Sequence, residues 1–172
     1  MMNNNISKNM HRFMRILQQR PDAFADVWGS SEYPNLYGQV NFYQTSSGVL
    51  VAAQFSGLPS DDSVCGEKIF AFHIHDGSSC TGNSTDPFAN SGMHYNPYKC
   101  EHPEHAGDMP PLFGNNGFAF EIFLTNRFGV NEIIGKAVIV HSGVDDFTTQ
   151  PSGNSGSKIA CGIIRSPLGF RA

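Results

Sequence analysis

At 172 residues and 18.8 kDa the chain has room for one domain with a real core, alone or with an ordered arm, and not for two large catalytic domains. Hydrophobic residues at 40% and charged residues at only 15%, with 18 Gly and 10 Pro, describe a loop-rich globular protein rather than a disordered one. Fifteen acidic side chains against 11 basic ones give a net charge of -4, which disfavours nucleic acid and anionic lipid as partners, and no stretch approaches the roughly 20 apolar residues of a membrane helix.

The opening residues, Met1 to Asn5 followed by Lys8, Arg12 and Arg15, hold no continuous apolar core of the kind an export signal needs, which favours a cytoplasmic location. The same stretch predicts an amphipathic helix, because Ile6, Met10, Phe13, Met14 and Leu17 recur at i, i+4, i+7, i+8 and i+11; Pro21 stops it. Residues 1–30 thus read as a helical arm that packs on its own domain, contacts a second subunit or lies on a surface as a basic helix. From Tyr37 the pattern turns to strands. Tyr37 to Thr45 and Val49 to Phe55 flank Ser46-Ser47-Gly48 and predict a hairpin. Further strands are predicted over Lys68 to Asp76, over Gly117 to Leu124 with Phe118, Phe120, Ile122 and Leu124 sharing a face, over Gly135 to His141, and over Lys158 to Ile164. Two long loops rich in Gly, Asn, Pro and Ser separate them, Gly77 to Asn116 and Ser142 to Ser157; loops of that length in a compact domain are usually functional. The fold class is therefore all-β, a sandwich or barrel over residues 35–166 with two long loops and an N-terminal amphipathic helix.

Six of the seven histidines, all but His11, lie in the middle of the chain. In Phe70-Ala71-Phe72-His73-Ile74-His75 strand alternation points His73 and His75 to one side and Phe70, Phe72 and Ile74 to the other, so two imidazoles share one rigid wall and can ligate one transition metal. His141 ends another strand, on the face opposite Val138 and Val140. The intervening loop carries His94, and then His102, His105 and Asp108 at i, i+3 and i+6, a donor set that zinc accepts once a fourth ligand is added. Four cysteines, Cys65, Cys80, Cys100 and Cys161, are too few for a disulfide scaffold and form no CxxC pair.

Taken in order, Phe72-His73-Ile74-His75, Gly92-Met93-His94-Tyr95-Asn96-Pro97, His105-Ala106-Gly107-Asp108, Val138-Ile139-Val140-His141 with Asp145-Asp146, and Gly153-Asn154-Ser155-Gly156-Ser157-Lys158-Ile159-Ala160-Cys161-Gly162 resemble the copper/zinc superoxide dismutase family from Tyr37 to Ile164. The opening arm is outside the resemblance. The resemblance implies a Greek-key, immunoglobulin-like β-barrel, an oxidoreductase that disproportionates superoxide, and copper and zinc as cofactors. It implies copper on His73, His75, His94 and His141, and zinc on the shared His94 with His102, His105 and Asp108. Asp145 matches the family's outer carboxylate, which accepts N–H groups from a copper and a zinc histidine, and Cys80 with Cys161 matches its disulfide. Cys65 and Cys100 have no counterpart, and a second bridge between them is one option. His94 is expected to move a proton as well as bridge.

Two departures from the family pattern carry consequences. Asp146 to Gly153 is a shortened form of the segment that guides superoxide, and Lys158 stands where an arginine is usual. Lysine keeps the charge without the guanidinium fork. Arg165 is near in sequence only. The alternative function is a dismutase-like copper/zinc-binding or metal-delivery protein with little turnover, and the resemblance leaves room for a homodimer.

Overall fold

The computed structural model describes residues 3–60 and 69–167. The arm is a helix, α1 (Asn3–Ile16). It is followed by β1 (Ala23–Gly29), β2 (Tyr37–Thr45), β3 (Gly48–Ser56), the short β4 (Ile69–Phe70), β5 (Phe72–His75), β6 (Leu112–Phe113), β7 (Phe118–Thr125), a single helical turn α2 (Val130–Ile133), β8 (Ala137–His141) and β9 (Lys158–Ile163). Seven strands make one antiparallel sheet in the order β5-β8-β9-β1-β2-β3-β7, and β4 pairs with β6 apart from it. The chain crosses from β3, next to one end of that order, to β5 at the other, and returns from β7 to β8, so the sheet curls around a core as a Greek-key half-barrel.

Phe42, Phe55, Phe72, Ile74, Val138, Val140 and Ile159 meet on the inner face, with Phe55 and Phe72 packed edge to face at 5.7 Å between ring centroids. Each such side chain contributes about 1.5–3 kcal/mol by leaving water. This burial decides the register of β5: with Phe72 and Ile74 inside, His73 and His75 must face outward, as strand alternation requires.

The hairpin forms with Thr45 opposite Gly48. The predicted strand from Lys68 divides at Ala71, whose N–H donates to Gly143 O and whose carbonyl accepts from His141 N; Lys68 and Cys65 lie outside the described residues. Strand β1 falls within the stretch read as the arm. Its Ala23, Ala25 and Val27 alternate inward, but two of the three inward side chains are alanines, too small to stand out as a hydrophobic stripe. In β7 the periodicity is as predicted, yet the small Ala119 turns into the core while Phe118, Phe120, Ile122 and Leu124 face out. The end of the arm touches its own sheet: Tyr43 and its partner Leu50, buried on the outer face, lie by the end of α1, where Tyr43 Oη donates to Leu17 O at 3.5 Å, while Met10 and Met14 of the helix are exposed. Arg12 donates to Ser46 Oγ at 2.8 Å.

Candidate metal centre

Strands β5 and β8 form the wall of the centre, with His73 opposite Ile139 and His75 opposite Ala137. His141 ends β8 at a break in register between Val140 and His141, and an irregularity of this kind re-aims the side chain at a strand end. The loop residues are placed by backbone bonds to the free edge of β5. Asp76 N donates to Met93 O (2.9 Å), Tyr95 N to Ile74 O (2.8 Å), and Ile74 N to Gly107 O (2.8 Å), so His94 sits beside His75 and Asp108 beside His73. Gly107 is required there, because a Cβ would lie 2.2 Å from Ile74 O.

Two groups of donors result, His73, His75, His94 and His141, and His94, His102, His105 and Asp108, each with its candidate atoms within 4.8 Å of one another. His94 belongs to both. The outer nitrogen of several rings is already committed. His73 Nε2 and His102 Nε2 bond to Asp145 Oδ2 and Oδ1, both at 2.8 Å, His75 Nδ1 to Gly92 O at 2.9 Å, and His141 Nδ1 to Gly156 O at 3.3 Å. Such bonds select the tautomer and leave the other ring nitrogen free as a lone-pair donor.

Those other nitrogens have little else to do. His73 Nδ1 and His94 Nε2 are buried with no hydrogen-bond partner among the described residues, and His75 Nε2 faces His141 Nε2 at 3.3 Å. A buried polar atom without a partner costs about 1–3 kcal/mol, a cost that coordination to a cation removes. On the second group His94 Nδ1 lies 2.7 Å from Asp108 Oδ1, and His102 Nδ1 and His105 Nδ1 lie 3.0 and 3.4 Å from Asp108 Oδ2. Four imidazoles suit copper, and three imidazoles with one carboxylate suit a closed tetrahedral zinc site. The residues therefore fit both ions.

Asp145 joins the two groups through its two oxygens and also accepts from Phe147 N at 2.8 Å. Gly153 makes room for it, at φ 69° and with a Cβ position only 2.0 Å from Asp145 Oδ1. Two further residues escaped the sequence reading. The Gln150 side chain clasps the backbone of His102, donating to His102 O at 2.7 Å and accepting from His102 N at 3.0 Å. Arg127 Nη1 donates to Pro103 O and His105 O at 2.6 and 3.1 Å and so holds the turn between His102 and His105. Neither lies in a local motif, since their partners are 48 and 22–24 residues away.

Burial holds the His73, His75 and His105 rings below the ordinary histidine pKa, and holds His141 down to about 3 with help from the neighbouring His73. Burial alone would raise Asp145, but the bonds from His73, Phe147 N and His102 outweigh it and bring it to about 2. A histidine whose pKa is lower in the folded than in the unfolded state favours folding above its unfolded pKa, and that stability is lost as pH falls. The metal-free protein is therefore expected to weaken from about pH 6.5 toward 3, and further as Asp145 protonates near 2. Urea unfolding of chelator-treated protein should show at least about 1.4 kcal/mol less stability at pH 4.5 than at 7.5, one pKa unit's worth. A flat profile would contradict the neutral, buried state of these rings.

A cleft of about 240 Å³ opens onto His75, His94 and His141, and Lys158 lines it. The Lys158 ammonium is not free: it donates to Asp86 Oδ2 at 2.9 Å and to Phe88 O at 3.3 Å. Arg165 pairs through its backbone with Phe24 at the start of β1. The Cys80–Cys161 disulfide is present and ties the first long loop to β9. Cys100 is an exposed free thiol among the described residues, and the option of a bridge to Cys65 falls on a residue outside them. No described helix is long and apolar enough to cross a membrane.

The sequence profile described as copper/zinc superoxide dismutase (SODC) matches residues 36–164. Superoxide dismutase (Cu-Zn) 2 of Aquifex aeolicus is 34% identical over 143 residues, 74% of this chain and 78% of that protein. Superoxide dismutase (Cu-Zn) of Legionella pneumophila is 30% identical over 152 residues, 84% of this chain and 87% of its own. Among solved structures, the Cu/Zn superoxide dismutase from Brucella abortus superposes with a TM-score of 0.68 at 25% identity, covering 82% of this chain and 98% of that one. With most of its length matched to the profile, and with relatives of that identity aligned along most of theirs, the chain belongs to the copper/zinc superoxide dismutase family.

Proposed function

We propose that the protein converts two superoxide anions and two protons to O2 and hydrogen peroxide, with copper held by His73, His75, His94 and His141 and zinc by His94, His102, His105 and Asp108. The observation that carries this reading is the shared His94, which belongs to both donor groups, with Nδ1 2.7 Å from Asp108 Oδ1 and Nε2 buried without a hydrogen-bond partner among the described residues. Bound there, copper would supply the one-electron chemistry of the reaction. The chain supplies the rest. Asp145 holds the His73 and His102 rings in the tautomer that presents Nδ1 inward. His94, whose Nδ1 faces Asp108 Oδ1 at 2.7 Å, would hold and release a proton at its other ring nitrogen, Nε2, whenever that atom is not coordinated. The cleft admits a diatomic anion directly to the His75, His94 and His141 side.

Lys158 is the cation that faces this approach, and Asp86 offsets part of its charge. Lys158→Ala is expected to lower the second-order rate about 3- to 10-fold at low ionic strength with metal content unchanged, and Asp86→Asn to raise it by a similar factor, because steering of an anion follows the local field. Both effects should shrink with salt, since mobile ions screen exposed charges over about 8–10 Å. Lys158→Arg should equal or exceed the parent, the fork holding an anion better than an ammonium does. The deciding assay is superoxide dismutation per bound copper. Full copper and zinc loading without turnover would move the reading to a metal-binding or metal-delivery protein.

A further inference from the structure

The loop from Ser142 to Ser157 contains no Lys or Arg, and its only charged side chains are Asp145 and Asp146. A stretch of that sign does not draw an anion by its own field. Its bonds point to a different task. Asp146 N donates to Gly153 O at 2.9 Å and Gly153 N to Thr149 O at 2.7 Å, so the middle of the loop closes on itself. The Asp146 carboxylate braces this turn, accepting from Thr148 N at 2.9 Å and from Thr149 N and Oγ1 at 2.7 and 2.6 Å. Gln150 leaves the braced turn with its side chain on His102.

His102 is 4% exposed and lies in no strand or helix, and a buried backbone N–H or C=O needs a partner. The Gln150 amide serves both groups, because a primary amide carries a donor and an acceptor side by side. Its Nε2 donates to His102 O at 2.7 Å and its Oε1 accepts from His102 N at 3.0 Å, an imitation of one step of a strand ladder. Asp145, earlier in the same loop, takes the His102 ring at Nε2. Gly153 leaves space for that ring, since a Cβ would lie 2.7 Å from His102 Nε2. One loop thus fixes both the main chain and the ring of a single donor. What is left to His102 is Nδ1, 3.0 Å from Asp108 Oδ2 in the second donor group. His94 and Asp108 are set by bridges to β5, whereas His102 is held from the second loop.

We propose that Gln150 is a positioning residue for zinc, and that the loop from Ser142 to Ser157 works as a clamp that preorganises His102 rather than as a guide for the substrate. The proposal rests on the zinc assignment of the second donor group. Gln150 is itself exposed, so water can take over its bonds when it is removed. The fold survives that change, but the fixed position of His102 does not, and zinc must then order the ligand as it binds.

The test is chelator competition for each metal on the full chain loaded with copper and zinc, with cobalt(II) in place of zinc as a spectroscopic probe. Gln150→Ala removes both bonds, and Gln150→Met keeps the length of the side chain without them. Both variants are expected to bind zinc about 10-fold more weakly, the lower end for an outer partner of a metal ligand, while copper affinity changes less than about 3-fold. The visible bands of bound cobalt should shift or broaden in both. A merely structural residue would lower the stability of the metal-free protein and leave the cobalt bands and the ratio of zinc to copper affinity where they were. Unchanged zinc affinity in both variants overturns the proposal. So does a loss in Gln150→Ala that Gln150→Met does not share, which would make the residue a space filler, and so does an equal loss of both metals. A parent that takes up no zinc on these four donors overturns the metal reading together with the proposal, and that result is seen before any variant is made.

Discussion

Reduction of the Cys80–Cys161 bridge is expected to lower the stability of the metal-free protein by about 4.5 kcal/mol, the chain-entropy value for a loop closed over a sequence separation of 81. Against a total of roughly 5–15 kcal/mol for a domain, that is a large fraction, and it corresponds to a melting temperature lower by roughly 10–15 °C. The effect has a local consequence too. Cys161 packs with Ala137, Ile139 and Phe88, and the loop leaving Cys80 carries Asp86 and Phe88, which hold Lys158. Freeing Cys80 should loosen that clasp before it disturbs the barrel. Calorimetry of the chelator-treated protein with and without reductant, beside Cys80→Ser, measures both changes. A loss under about 1 kcal/mol would mean that the backbone bonds from Met93, Tyr95 and Gly107 to β5 are enough to hold the loop.

Asp108→Ala is expected to weaken zinc binding by more than 100-fold while copper affinity changes less than about 10-fold. The carboxylate is the sole anionic donor of its group, and it also orders that group by bonding His94 Nδ1 and accepting from His105 N at 3.1 Å. Losing it removes a ligand outright, which should exceed the 10- to 100-fold typical of an outer partner. All four imidazoles of the copper group remain. Asp145→Ala provides the contrast: one oxygen orients His73 and the other His102, so both metals should weaken together by about 10- to 100-fold. Chelator competition for each metal separates these patterns. Equal loss of copper and zinc in Asp108→Ala would show that Asp108 acts as a general scaffold for the loop.

That the histidines could gather was readable from the chain in part from residue type and spacing and in full from the family resemblance. Two histidines two apart on a strand must share a face, and His102, His105 and Asp108 recur within one short turn. The hairpin was readable from its alternation and its glycine. Strand β1 was not, because Ala23 and Ala25 bury too little apolar surface to mark a face. The orientation of β7 was not either: periodicity gives two faces, and choosing between them needs the partner surface. Here the inner side at Ala119 faces a core already filled by Phe55 and Phe72, which leaves the larger side chains outside.

By itself the sequence determined the all-β class and the two long loops, which follow from local periodicity and turn composition, and through the family resemblance it pointed to the residues that the structure gathers into two donor groups. Only the tertiary structure decided which nitrogen of each ring points inward, because that choice is made by acceptors such as Asp145, Gly92 and Gly156, as far as 72 residues away. It also decided that Lys158 meets Asp86, that Gln150 and Arg127 grip the loop around His102, and that an apolar sheet face stays open. Each of these is a contact between segments distant in the chain, and its energy depends on where the curled sheet brings them rather than on their order.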